Sequence, residues 1–146
     1  MKGVVQRQKM LFPVPVLGKI IYKEGILVFA VFGGGLFISG GDITIQGSTI
    51  ISNTANFEGG GICLEYGNVT IGPDVSIMNN TAIDGGGIAL RNDDLNAMPH
   101  LENNGIITNN YASYEGGGLA RYVGEFKNNG TISGNKAEDN SDEIKE

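Results

Sequence analysis

Few residues in this chain have the types and spacing that chemistry needs. Arg91, Asp93, Asp94 and His100 fall within ten positions, where two carboxylates stand close to a guanidinium and the lone histidine. Paired carboxylates carry glycoside hydrolysis, and a basic group beside a carboxylate carries proton abstraction. The same four types in an exposed loop also make a polar ligand-binding surface or an ordinary turn. Asp93 and Asp94 are adjacent in sequence, as turn carboxylates often are. We therefore take Arg91, Asp93, Asp94 and His100 as a candidate ligand loop and assign no catalytic, cofactor-binding or metal-ligating residue.

Other reactive groups are scarce. Cys63 is the only cysteine, which excludes an intrachain disulfide and a cysteine zinc cluster, and it reads as a small strand residue. Glu58, Asp84 and Glu115 each stand just ahead of a run of glycines and form an acidic stripe if those runs stack. Such a stripe reads as a charged edge, with a divalent cation as the sharper alternative. Asn68, Asn79 and Asn129 head N-x-T matches, which are expected by chance where asparagine is this common.

The glycine runs set the frame. The chain has 24 glycines in 146 residues, more than double the usual share of about 7%. Triplets occur at Gly33, Gly34 and Gly35; Gly59, Gly60 and Gly61; Gly85, Gly86 and Gly87; and Gly116, Gly117 and Gly118. Each is followed by Leu or Ile, and the intervals are 26, 26 and 31 residues. A phosphate loop would need GxxxxGK[ST] between a strand and a helix, and no such lysine is present. A second mark, I-x-x-N-x-A, recurs at 50–55, 77–82, 107–112 and 132–137. Two marks in phase over four copies denote a repeat architecture.

Each unit holds three short β-type runs split by turn residues, as in "ICLEY", "VTI" and "VSIM" of the second. No run is long enough for a helix. Three strands per turn of about 26 residues predict an all-β chain, a single-stranded right-handed parallel β-helix of about four rungs. Stacking then makes inward columns of Ile50, Ile77, Ile107 and Ile132, of Leu36, Ile62, Ile88 and Leu119, and of Ile38, Leu64 and Leu90. Phe37, Cys63, Ala89 and Ala120 alternate outward. Arg121 interrupts the third column, which predicts a bulge that brings in Tyr122 or Val123. Asn53, Asn80, Asn110 and Asn135 form a ladder of stacked amides at one corner, while the glycines supply positive φ and close backbone approach. The third unit has about five extra residues around Asp93 to His100, and insertions on one face of a solenoid often form its binding surface.

These marks divide the chain into residues 1–32, 33–140 and 141–146. The first part does not share the repeat. Its basic start and two apolar stretches read as an N-terminal cap over the first rung, or as a leader or fragment boundary foreign to the repeat. The last part, polar and charged, reads as a terminal tail, with SDEI at 141–144 where the next triplet would fall. The net charge is −6, and residues 26–146 carry 15 acidic against 5 basic side chains. An acidic body repels phosphate backbones, which argues against nucleic-acid binding. Exposed terminal rungs make end-to-end self-association an expectation.

The pairing of I-x-x-N-x-A with GGG[IL] resembles the repeat of polymorphic outer-membrane proteins and adhesin-like surface proteins, whose pattern is F-x-x-N with GGA[ILV]. The nearest stretch is "IMNNTAIDGGGI" at 77–88, and the resemblance covers residues 33–140. Ile stands for Phe and Gly for the Ala of GGA. The resemblance implies an extracellular or cell-surface protein that binds glycans or surface proteins, without cofactors, and it carries over no catalytic residue. The alternative is a fragment of a polysaccharide-active β-helix, a lyase or hydrolase.

Overall fold

The computed structural model describes residues 3–6, 16–22, 26–28, 34–139 and 141–145. Among them there is no helix, and parallel strands stack as a β-solenoid of about four turns. Three strands come first, β1 (Gly3–Gln6), β2 (Val16–Tyr22) and β3 (Ile26–Val28). The first rung is one bent strand, β4 (Leu36–Ile51). The second contains β5 (Ile62–Ile71), β6 (Ser76–Met78) and β7 (Thr81–Ala82). The third contains β8 (Ile88–Leu90), β9 (Pro99–Asn103), β10 (Ile106–Thr108) and β11 (Tyr111–Ala112). The fourth contains β12 (Leu119–Arg121), β13 (Glu125–Asn128), β14 (Thr131–Ser133) and β15 (Lys136–Ala137). A last strand, β16 (Ile144–Lys145), starts another turn by pairing with β12.

Pairing follows the repeat, and the columns expected from the period form. Leu36, Ile62, Ile88 and Leu119 stand in register, as do Ile50, Ile77, Ile107 and Ile132. All but Ile132 are fully buried, and Ile38, Leu64 and Leu90 complete a third buried column. Each such side chain contributes about 1.5–3 kcal/mol on burial, so these aliphatic stacks dominate the folding energy. Arg121 pairs directly with Leu90, without a bulge, and its Nη1 donates to the Gly124 carbonyl at 3.1 Å. The expected replacement by Tyr122 or Val123 therefore does not occur, because Gly124, at φ 82°, turns the chain straight into β13.

The outward column also differs from a simple alternation. Cys63, Ala89 and Ala120 are buried although they face away from the core. The glycine turn ahead of each folds over it: a Cβ on Gly85 would lie 3.0 Å from the Ala89 Cβ. Within the triplets, roles divide by position. Gly59 has φ 67°, which an L side chain rarely adopts. Gly60 has no such constraint, but a Cβ there would fall 2.2 Å from the Gly86 carbonyl oxygen of the next rung. Gly33 lies outside the described residues, and Gly34 to Gly118 keep the expected corner.

The asparagine ladder is continuous. Asn80 Oδ1 accepts from the Asn53 backbone N–H at 2.9 Å and from Asn53 Nδ2 at 3.0 Å. Asn110 Oδ1 does the same for Asn80, and Asn135 Oδ1 for Asn110. The Nδ2 groups of Asn80, Asn110 and Asn135 also reach one rung back, to the carbonyls of Ile50, Ile77 and Ile107. Beyond Asn135, Glu143 Oε2 accepts from its Nδ2 at 2.6 Å, standing where the next asparagine oxygen would be. The residue before each ladder asparagine has positive φ: Ser52, Asn79, Asn109 and Gly134, at 54–68°. A short fourth ladder of β7, β11 and β15 follows, which the three-run reading of the sequence omitted.

On the first rung, β2 pairs antiparallel with Ile43 to Ile50 of β4, and β3 with Phe37 to Ser39. β1 pairs antiparallel with β2.

Candidate functional site

The four residues of the candidate loop separate into two surfaces. Arg91 follows β8 and reaches the glycine corner, with its Nε 3.1 Å from Glu58 Oε2 and its Nη2 3.6 Å from Asp93 Oδ2. Glu58 Oε2 is sealed from solvent and receives no well-directed hydrogen bond, so the Arg91 contact acts as an ion pair. Burial pushes the Glu58 carboxyl above its ordinary range, against the pull of Arg91, and nearby Asp84 and Asp93 push the same way. The acidic stripe does stack. Glu58 bridges to Asp84, and the Glu115 backbone N–H donates to Asp84 Oδ1 at 3.1 Å. Lys145 Nζ lies 3.2 Å from Glu115, and the Tyr122 hydroxyl donates to the same carboxylate at 3.4 Å. Burial raises the Tyr122 phenol pKa, and Asp84 and Glu115 add to it. Cations and a phenol thus run through the stripe. Among the described residues no three His, Cys, Asp or Glu side chains are arranged to hold a metal ion.

Asp94 builds the turn that leads to the next strand. Its backbone N–H donates to Asn92 Oδ1, and its own Oδ1 accepts from the Asn96 N–H, both at 2.9 Å. Asn92 Nδ2 donates to the Ala97 carbonyl. Asx turns of this kind replace backbone pairing across an irregular segment. Asp93 projects into solvent, 96% exposed.

His100 is not in the loop. It lies on β9, which begins at Pro99, so the inserted turn ends earlier than the residue count suggested. There His100 joins a flat face built from β5, β9 and β13. Along the face, Asp42, Asn68, His100 and Glu125 form one in-register column, and Thr44, Thr70, Glu102 and Lys127 form the next. Between them Val69, Leu101 and Phe126 point to the core, which places the polar columns outward. A hollow of about 500 Å³ opens over these strands.

Contacts along the columns couple neighbouring rungs. Asn68 Nδ2 donates to Asp42 Oδ1 at 2.7 Å, His100 Nδ1 lies 3.2 Å from Glu125 Oε2, and Lys127 Nζ lies 3.5 Å from Glu102 Oε1. Glu125 is 82% exposed and Lys127 67%. Exposed pairs of this type contribute only about 0–1 kcal/mol. A ligand that displaces them loses little.

Thr70, Glu102, Glu125 and Lys127 are not singled out by the sequence, and Asn68 only as the head of an N-x-T match. Their signal was the alternation around Val69, Leu101 and Phe126, which aligns NVT, HLE and EFK one rung apart. A second internal ladder is not singled out either. The column Ile45, Ile71 changes to Asn103, Asn128, and Asn103 Nδ2 donates to Asn128 Oδ1 at 2.8 Å. The repeated "ENNG" and "KNNG" marked it. Of the N-x-T matches, Asn68, Asn79 and Asn129 are all exposed, and Asn79 occupies a tight corner at φ 56°. Compared with known protein families, curated proteins and solved structures, the chain matches none.

Proposed function

We infer that this chain is a non-catalytic binding module, an adhesin-like β-solenoid that works at a cell surface or outside the cell. The carrying observation is the face of β5, β9 and β13, where two polar columns repeat in register beside the 500 Å³ hollow. Side chains held on rigid, mutually paired strands lose little freedom when a ligand arrives. A catalytic pair needs two titratable groups whose environments drive them apart. Here the carboxylates have basic or amide partners, Glu125 with His100, Glu102 with Lys127 and Asp42 with Asn68. The partners that fit this face are glycans or surface proteins that offer hydroxyl and amide groups at rung spacing. The resemblance of the repeat to surface adhesins supports the same reading.

The test incubates purified protein with a panel of polysaccharides and whole cells and scores both retention and released sugar ends. Retention without release, reduced in His100→Ala and Lys127→Ala, is the expected result. Release of reducing ends would replace this reading with a polysaccharide-cleaving enzyme, and absence of both signals would remove it.

A further inference from the structure

Phe57, Ile83 and Tyr114 are large apolar side chains left in solvent, 68%, 41% and 57% exposed. They hold the same place on three successive rungs, two residues ahead of each glycine triplet. The Ile83 backbone N–H donates to the Phe57 carbonyl and that of Tyr114 to the Ile83 carbonyl, both at 2.9 Å, so the three are locked in register. The core does not require them, since Ala55, Ala82 and Ala112 fill the interior of this corner. Scattered exposed apolar residues are ordinary; these three instead stand in one aligned row.

We propose that this ridge is a second binding site, one that takes a linear, neutral β-linked glycan laid along the solenoid axis. Three features select that occupant. The first is size. Three side chains at these exposures offer on the order of 300 Å², well below the roughly 800 Å² per partner of a stable protein interface. A narrow chain fits a strip of that size; a second protein does not. The second is period. The two rings, Phe57 and Tyr114, stand two rungs apart, about two strand spacings of 4.7–4.9 Å. In a ribbon-like β-linked glycan each ring is flipped relative to the last, so the same face recurs every second sugar. Phe57 and Tyr114 then meet equivalent C–H faces, and Ile83 meets the flipped ring between them. The third is charge. Glu58, Asp84 and Glu115 border the ridge, and with Arg91 and Lys145 paired to two of them the border keeps a negative charge, which disfavours an anionic polymer.

This site lies at a different corner from the β5, β9 and β13 face and stands or falls apart from it. The probe is a β-1,4-linked glucose hexasaccharide titrated into the full chain by calorimetry. Saturable binding is expected, and a disaccharide, which reaches fewer rungs, binds at least about tenfold more weakly. Phe57→Ala and Tyr114→Ala each weaken hexasaccharide binding about tenfold, the loss expected when on the order of 50 Å² of apolar contact returns to water. Phe57→Tyr keeps the ring and the affinity. All three side chains are exposed, so the variants keep the wild-type melting temperature. Equal binding by the wild type and the Phe57→Ala, Tyr114→Ala double variant would overturn the proposal, as would no binding at millimolar sugar. Binding lost in His100→Ala but kept in the ridge variants would move the glycan to the other face. Dimerisation abolished by Phe57→Ala would assign the ridge to a second copy of the chain instead.

Discussion

Replacing Asn110 by alanine tests whether the buried ladder holds the rungs together. Asn110 is 1% exposed, and its side chain makes four hydrogen bonds. Its Oδ1 accepts from the Asn80 backbone N–H and Nδ2 at 3.0 Å each. Its Nδ2 donates to the Ile77 carbonyl at 3.0 Å and to Asn135 Oδ1 at 2.9 Å. Alanine leaves the Asn135 Oδ1 acceptor with a partner, since it still receives the Asn110 N–H. It leaves the Asn80 N–H and one Nδ2 hydrogen with none. Each buried donor without an acceptor costs about 1–3 kcal/mol, so the expected loss is about 2–6 kcal/mol. Against a total stability of about 5–15 kcal/mol, that is a severe defect.

Urea unfolding followed by circular dichroism measures it, with the midpoint shift multiplied by an unchanged slope. Asn68→Ala, which removes an exposed bond to Asp42, serves as the control and stays within about 0.5 kcal/mol. Asn110→Asp refines the test. It keeps Oδ1 but turns a second oxygen toward two acceptors where the amide donated. A carboxyl there has a folded-state pKa above its unfolded value of about 3.9. Its defect is therefore smallest below about pH 4 and grows as pH rises towards the folded value. A loss under about 0.5 kcal/mol for Asn110→Ala would refute the reasoning, because water would then replace the amide in the corner.

Other expectations follow from single positions. Gly60→Ala places a Cβ 2.2 Å from a backbone oxygen that cannot move alone, so it costs on the order of 4 kcal/mol or more in urea unfolding. Gly47→Ala, at φ 52° with only Asp74 Oδ2 nearby at 3.6 Å, costs about 1 kcal/mol; similar losses at both sites would undo the distinction between contact and φ. Burial pushes the Cys63 thiol up to about 12, so a thiol reagent at pH 8 labels it only after denaturant is added, and rapid labelling of native protein contradicts that burial. The raised Glu58 pKa means that the folded state holds this proton more tightly than the unfolded chain. Its contribution is full at low pH and is lost as pH rises from about 4.3 through the folded value. Glu58→Gln flattens thermal stability across that interval, and parallel wild-type and variant curves would argue against it.

What could be read in the sequence was whatever repeats by residue type. The aliphatic columns and Asn53, Asn80, Asn110 and Asn135 recur because a buried position shared by successive rungs restricts its occupants. Features defined by backbone shape left weaker marks. The corner before each ladder asparagine demands positive φ, but Ser52, Asn79, Asn109 and Gly134 satisfy it with three residue types. Arg121 departs from its sequence signal for the converse reason. A charged residue in an apolar column suggested an escape from register, yet a guanidinium with a carbonyl to bind keeps its place on the last full rung, where fewer rungs enclose it. The candidate site was half legible. Arg91, Asp93, Asp94 and His100 were grouped by nearness in sequence, whereas a solenoid places side by side residues about 26 positions apart. His100 accordingly belongs with Asn68 and Glu125, not with Asp94. In such a fold a functional surface runs down the columns, and the informative comparison is between rungs. The same comparison brings Phe57, Ile83 and Tyr114 into one line, although no two of them are neighbours in the chain.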